Sequence, residues 1–363
     1  MGTAVVTHEL GDIAHAWNQL ARRSGTPFVT HEWLGCWWRA FGEGEPIWLS
    51  LRGDNGALEA GAFLERGARG VTSAANVHSG DWDAVARDDN ARTELWEALG
   101  ELDENCIRLL GIPEHGGAAD AAEAALQKAG YRIVRENRPP SPSLQLPATW
   151  EGLIHTVSRN LRSNWGRRQR GLERAGTVAF RTVTRPGEMA VALDAFLELE
   201  ASGWKGKAGT AILSDLRTQR LYRDFAQVAA ARGWLRLHLL ELDGQLIAGD
   251  YAVSFEGTGF LLKTAFSEPH EQLSPGLVLR GRVLQAAIKE GLDYYDFLGG
   301  PERYKLSWAS QLRPRVRISA YRGAALPRYA YRSRLHPVLR SSIGPIARLA
   351  RDRVRRLRAG SRR

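Results

Sequence analysis

The chain has 363 residues, of which 25% are charged and 44% hydrophobic, with only two cysteines, a composition that excludes collagen-like, disulfide-stapled and intrinsically disordered classes. Its net charge of +10 misleads unless divided: residues 322–363 hold 13 arginines and one acid, Asp352, so residues 1–321 carry 37 basic and 39 acidic side chains. The body is nearly neutral and the basicity is a tail, which argues against a wholly basic nucleic-acid-coating protein.

The length exceeds one ordinary core and predicts two lobes plus a tail. Cys36 and Cys106 lack metal-ligand spacing and form no zinc pattern with the nine histidines, so no metal is expected and a reducing, cytoplasmic setting follows. Residues 1–6 lack the basic and apolar regions of a signal peptide, and no stretch reaches the length of a membrane span.

In chain order, the patterns predict a strand at 3–9, helices at 11–24 and 31–41, and a hairpin of 46–53 with 57–65 about Asn55-Gly56. A helix at 91–101, a strand at 106–111, a helix at 119–129 and a strand at 131–135 complete the first half. The run Arg138-Pro139-Pro140-Ser141-Pro142 is the expected lobe boundary, because neither a helix nor a central strand tolerates it. Next comes a basic helix bearing Arg159, Arg162, Arg167, Arg168, Arg170 and Arg174 with Glu173 as its acid. It is either a solvated face or a surface for an anionic ligand.

The second half repeats the order of the first: a strand at 177–184, helices at 186–202 and 213–232, then strands at 235–242, 245–255 and 258–266 joined at Asp243-Gly244 and Glu256-Gly257. A helix at 276–290 stops at Gly291, and a strand at 292–298 leads to a helix start at Tyr304-Lys305 and a last strand at 315–321. The 276–290 helix is a crossover between parallel strands. At its front, Ser274 is expected to cap the free N–H groups, Pro275 to take the first helical position and Gly276 to admit a ligand. The turn is therefore either an ordinary cap or an anion site for a pyrophosphate. The first half has Arg87-Asp88-Asp89-Asn90 at the corresponding place, so only the second lobe is expected to bind a cofactor.

This order, together with Trp204-Lys205-Gly206, Ala231 to Leu235, Ile247-Ala248, Leu273 to Gly276, Tyr295-Asp296-Phe297, Gly299-Gly300, Tyr304-Lys305 and Trp308, resembles the GNAT acyltransferase superfamily. More narrowly it resembles the CelD-like and BioF-like acetyltransferase branch, which is related to the FemABX aminoacyltransferases. The match covers roughly 155–322, and Thr26 to Trp38 also looks like the start of such proteins. The resemblance implies an α/β fold of tandem GNAT-like lobes, each a mixed sheet flanked by helices: a degenerate lobe at 1–140, a catalytic lobe at 150–322 and an Arg-rich tail at 323–363.

It further implies an N-acyltransferase that moves an acetyl or longer acyl group from acyl-CoA to an amine of a small molecule, sugar or peptide by direct attack on the thioester. Ser274, Pro275, Gly276, Leu277, Val278 and Leu279, with Phe266 at the end of the preceding strand, are the expected cofactor segment. Tyr304 stands where such enzymes carry an acid for the leaving sulfur, though a tyrosine packed under a loop satisfies the same pattern. Asp250, an acid in a mid-sheet strand, is the candidate base, with Glu200 and Asp296 as competitors. Lys305 is expected to bind an acceptor anion or polarise the carbonyl. Trp204 and Lys205 are expected to border the acceptor cleft, faced from the first lobe by Trp33, Trp37, Trp38, His78, Asp81, Trp82 or Asp83.

The second expectation, drawn from the FemABX relation, is an aminoacyl-tRNA donor, with the Arg159–Arg174 helix and the tail as its electrostatic footprint. In the tail, Ile346, Leu349, Val354 and Leu357 oppose Arg348, Arg351, Arg355 and Arg358, a pattern for a basic amphipathic helix on an anionic membrane or RNA, or simply a solvated terminus. A third class, a non-catalytic scaffold acting through the tail, would lose function on truncation at about residue 322.

Overall fold

A computed structural model describes residues 2–9 and 11–335. The proposed tail helix at 345–358 lies outside the described residues. The first lobe runs β1 (Thr3–Thr7), α1 (Ala14–Arg23), α2 (His31–Phe41), β2 (Glu45–Arg52), β3 (Leu58–Gly67), β4 (Gly70–Ser73), β5 (Val85–Ala86), α3 (Asp89–Glu101), β6 (Cys106–Pro113), α4 (Ala118–Lys128) and β7 (Arg132–Gln145). Two connecting helices follow, α5 (Trp150–Thr156) and α6 (Arg159–Ala175). The second lobe then runs β8 (Val178–Val183), α7 (Pro186–Ser202), α8 (Trp204–Lys207), α9 (Leu216–Ala231), β9 (Leu235–Leu242), β10 (Gln245–Phe255), β11 (Thr258–Phe266), α10 (Pro275–Glu290), β12 (Tyr294–Asp296), α11 (Arg303–Leu306) and β13 (Gln311–Tyr321), with α12 (Leu326–Ala330) behind it.

The strong local signals fold as expected. Asp243-Gly244 and Glu256-Gly257 close the β9–β10–β11 meander with each dipeptide at positive φ, as tight hairpins require. Thr30, Asp88, Thr149, Ser158 and Asp215 each accept a bond from the first turn of the helix they precede. The β4 and β5 segments, too short to show a period of two, carry no sequence signal of that kind.

The lobe boundary differs. All the strands belong to one sheet in the order β1-β2-β3-β4-β6-β13-β7-β12-β11-β10-β9-β8, with β5 beside β3. The last strand of the second lobe, β13, lies between β6 and β7 of the first, and β7 lies between β13 and β12. The Arg138–Pro142 run is therefore inside a central strand and is not a linker. It is tolerated because the ladder is broken there: Arg313 pairs Ser141 and Arg315 pairs Arg138, so Pro139 and Pro140 sit opposite Pro314 at a register shift, and β12 pairs β7 only at residues 143–145. Proline is admitted to sheets at such bulges, where no ladder donor is needed.

The core also crosses the boundary. One buried cluster joins residues of α1 to α4 with those of α7 and α9, and Trp33 of α2 meets Phe225 of α9 edge-on at 4.7 Å. A second cluster packs α5, α6 and α10.

Buried charges fasten the three central strands. Arg313 of β13 donates to Asp81 of the first lobe at 2.7 Å and also to Asp296 at the end of β12, and the Ser141 hydroxyl of β7 donates to Asp296 at 2.7 Å. Asp81 and Asp296 are 4% and 1% exposed, so removing their shared cation leaves carboxylates in low dielectric. Arg313→Ala is expected to cost about 3 kcal/mol, read as a lowered denaturant midpoint with both lobes still unfolding in one transition.

Candidate active site

The site begins where a ladder stops. The parallel strands β11 and β12 pair only through Thr258–Tyr294, Gly259–Tyr295 and Phe260–Asp296. Beyond that point Leu298 and Gly299 have φ of 50° and 65°, and the Asp296 carboxylate accepts the Leu298 N–H at 2.8 Å. The chain thereby turns away from β11, whose residues 261 and 263–266 keep a partner on the β10 side alone. A non-glycine residue at positive φ is strained and persists where surrounding bonds hold it.

On the β10 side, Tyr251 pairs Lys263 and Ala252 pairs Leu261, so Leu262 is an extra, bulged residue. A bulge leaves a backbone group outside the ladder and re-aims the neighbouring side chains. Here it does so at the mouth of the wedge.

Two cavities of about 570 and 520 Å³ meet at this bulge, both lined by Leu261, Leu262, Lys263, Phe297 and Lys305. The smaller extends past Glu200, Trp204, Lys205, Phe266 and Tyr304. The larger runs between the lobes past His78, Gly111, Arg138, Tyr222, Arg315 and Arg317. Six residues singled out from the sequence, Glu200, Trp204, Lys205, Phe266, Tyr304 and Lys305, thus come together around the smaller cavity.

Their bonding differs in kind. Lys205 donates to the Glu200 carboxylate at 3.0 Å and to the Thr264 carbonyl at 2.7 Å, and Glu200 also accepts the Ile212 N–H at 2.7 Å, so this pair clamps the α7–α8 turn to β11. Lys305, 7% exposed, donates to the Leu298 carbonyl at 2.7 Å and pairs with Glu302 at 2.8 Å. Burial lowers its pKa, partly offset by Glu302. Its Nζ stands 3.0 Å from where a Cβ on residue 299 would lie, which together with the positive φ makes glycine the fitting residue there. Tyr304 is 45% exposed, and desolvation holds its hydroxyl above the usual phenol range. It therefore keeps its proton at neutral pH.

Three sequence expectations find other roles in the structure. Asp250 is fully buried, lines neither cavity, and faces Arg280 of α10 at 2.7 Å. Burial pushes its carboxyl up against the pull of Arg280. The reason such a strand acid exists is the buried arginine on the crossover helix, which sequence spacing does not reveal. Asp296 and Asp81 hold Arg313 and line neither cavity; Asp296 shapes the turn and is not presented to the wedge. Of the first-lobe candidates, His78 lines the larger cavity while Trp33, Trp37 and Trp82 are core. Burial lowers the His78 pKa to about 4, so its imidazole is neutral.

The α10 opening is also built differently. Ser274 has φ 55° and makes no side-chain cap; its carbonyl instead accepts Leu277 and Val278 N–H at 3.1 and 3.3 Å. Of the expected bare amides, that of Gly276 keeps no backbone acceptor among the described residues, and Phe266 lies 3.8 Å from a Cβ built there. Pro275, Val278 and Leu279 are buried, the latter two as core. In the first lobe the corresponding helix α3 is capped by a carboxylate of the chain itself, Asp88, which accepts from Ala91 at 2.9 Å. That terminus already holds its anion.

The residue that sequence reading missed is Lys263. It lines both cavities, sits 5.1 Å over the Tyr222 ring and forms no ion pair among the described residues. Burial, then Lys205, lowers its pKa to about 8. Only the bulge brings it to the wedge, and nothing local in the sequence marks a bulge at this strand position. Among the described residues there is no group of metal-ligating side chains and no helix long and apolar enough to cross a membrane.

Comparison with known proteins agrees with this geometry. A model of the acetyltransferase (GNAT) domain matches residues 159–306, and no curated protein matches the chain by sequence. Among solved structures, FemX is 12% identical with a TM-score of 0.63, over 90% of this chain and 98% of its own. The C-terminal domain of a putative lysylphosphatidylglycerol synthetase from Agrobacterium fabrum is 12% identical with a TM-score of 0.56, over 88% of this chain and 94% of its own. A tandem GNAT protein from the clavulanic acid biosynthesis pathway is 15% identical with a TM-score of 0.51, over 89% of this chain and all of its own. At these identities the likeness is one of fold, and it spans both lobes. Residues 159–306 are thus identified as an acetyltransferase (GNAT) domain, set within a two-lobed fold that these structures share.

Proposed function

We propose that this protein is an N-acyltransferase that takes an acyl group from the thioester of acyl-CoA and delivers it to an amine. The observation that carries the reading is the wedge opened by the early end of the β11–β12 ladder, with two cavities meeting at a bulged strand beside Tyr304, Lys305 and Lys263. A two-substrate reaction needs two compartments that share one point.

In this reading the donor enters through the smaller cavity, which ends at Phe266 against Gly276 at the head of α10. The amine waits in the larger one. Its nitrogen attacks the thioester carbon; the C–N bond forms, the C–S bond breaks, and the departing sulfur takes the proton of Tyr304. The extra proton on nitrogen passes to neutral Lys263, whose lowered pKa of about 8 suits a base working near neutrality. Lys305 orders the Leu298–Gly299 turn that bounds the wedge.

One feature admits a second donor as well. Arg167, Arg168 and Arg174 of α6 line a hollow of about 300 Å³ with Gln272 and Leu273, just before α10, and Arg168 donates to the Gln272 carbonyl at 2.6 Å. Such a surface fits the phosphates of CoA or those of an aminoacyl-tRNA. The two separate by experiment: thiol release from an acyl-CoA panel supports the first, whereas salt-sensitive binding of charged tRNA with no thiol release supports the second.

With acetyl-CoA and an accepted amine, Tyr304→Phe is expected to lower kcat about a hundredfold with KM for the donor little changed. An unaltered kcat would remove Tyr304 from the chemistry. Lys263 offers a proton site only above its pKa of about 8, so kcat/KM is expected to rise with pH up to that value and level off. Lys263→Met should abolish that limb of the profile, and its survival in the variant would point to the amine's own titration.

A further inference from the structure

The larger cavity is lined by five basic side chains, Arg138, Lys263, Lys305, Arg315 and Arg317, and by no acidic one. This is unexpected in a body whose net charge is near zero. The register makes the concentration sharper: Arg315 of β13 is directly paired with Arg138 of β7, and Arg317 lies two residues along the same strand. Like charges placed opposite each other across strands repel, so the arrangement opposes folding unless something offsets it.

The chain itself supplies little. Arg138 is exposed and meets no carboxylate among the described residues. Arg315 spends one nitrogen on the Pro139 and Gly299 carbonyls at 3.1 and 3.0 Å, and its Nε stands 3.8 Å from Asp81, a carboxylate already held by Arg313 at 2.7 Å; neither this Nε nor that of Arg317 has a hydrogen-bond acceptor among the described residues. Glu136 approaches Arg317 at 3.7 Å but is shared with Arg332 at 3.3 Å. Burial first, then Arg138, lowers the Arg317 pKa, as expected for a cation held in a positive field. Buried guanidinium nitrogens with no acceptor are costly and call for one.

We infer that the interlobe cavity binds the anionic group, a phosphate or a carboxylate, of the amine acceptor, with Arg138, Arg315 and Arg317 as its anchors. This rests on the acyl-transfer reading for the word acceptor; the anion site itself stands on the lining. The geometry divides the cavity into an anion end on β7 and β13 and an amine end at Lys263 and the bulge. Guanidinium forks suit oxyanions, and Gly111 of the neighbouring strand lines the same cavity. An uncharged amine would bring no further counter-charge to arginines whose carboxylates, Asp81 and Glu136, are each shared with another arginine, so acceptor choice would be set at the end remote from the chemistry.

The test uses three small amines that differ at one end: ethanolamine, O-phosphoethanolamine and β-alanine, titrated into the full chain by calorimetry without any acyl donor. At least one of the two anionic amines is expected to bind ten or more times more tightly than ethanolamine, and which one does so distinguishes phosphate from carboxylate. Arg138→Glu should abolish the advantage while the melting temperature stays near that of the parent. Lys289→Glu, the same charge change at the far end of α10, should preserve it. Equal binding of all three amines, binding of none, or an advantage that survives Arg138→Glu would overturn the inference. Because no donor is present, failure of acyl-CoA turnover leaves this result standing, and failure here leaves the donor reading to its own thiol-release test.

Discussion

The Asp296 carboxylate is the constraint on which the site depends. Its oxygens take the Ser141 hydroxyl, the Leu298 N–H and the Arg313 guanidinium, so one buried anion joins β7, β12 and β13 and simultaneously bends the chain after β12. That bend ends the parallel ladder and opens the wedge. A fully zipped β11–β12 pair would satisfy more backbone groups, and the structure holds it open by giving the freed groups other partners: Lys305 takes the Leu298 carbonyl and Lys205 the Thr264 carbonyl. Buried Lys305 and half-buried Lys205 thus hold a gap that main-chain bonding alone would close.

The two lobes share an order of elements but not a role. Both contain a parallel pair, β4 with β6 and β11 with β12. The first lobe fills its crossover-helix terminus with Asp88, whereas Ser274 of the second turns its carbonyl inward and offers no side chain. Exchange of β7 and β13 between the lobes makes one sheet of two, and this places first-lobe residues such as His78 and Gly111 in the wall of a cavity whose floor belongs to the second. Moving the lobes apart would therefore break the ladders of central strands.

Much of this was legible in local pattern. The bounds of the β9–β10–β11 meander, of α2 and of α7 follow from turn dipeptides, caps and periodicity, and Tyr304, Lys305, Trp204 and Phe266 were found from motif order and do meet at one cavity. Asp250 reads in the sequence as a candidate base because an acid in mid-strand is costly without a partner, but that partner, Arg280, lies on another element and turns it inward. The proline run misled because its exclusion from central strands holds for an unbroken ladder, whereas here it faces a register shift on one side and an absent neighbour on the other. Lys263 was overlooked because a lysine in an alternating strand reads as a solvent-facing residue until a bulge redirects it.

By itself the sequence determined what depends on neighbours in the chain: helix starts, hairpin turns, the repeated order of elements and the separation of a neutral body from a basic tail. Only the tertiary structure decided which strands lie side by side, and hence that β13 passes through the first lobe, that the ladder stops at Asp296, and that three arginines from two distant strands face one cavity. The physical reason is range. Caps, turns and periodicity act within a few residues, whereas a wedge or a cluster of like charges is a property of register and of buried partners that are distant in the chain.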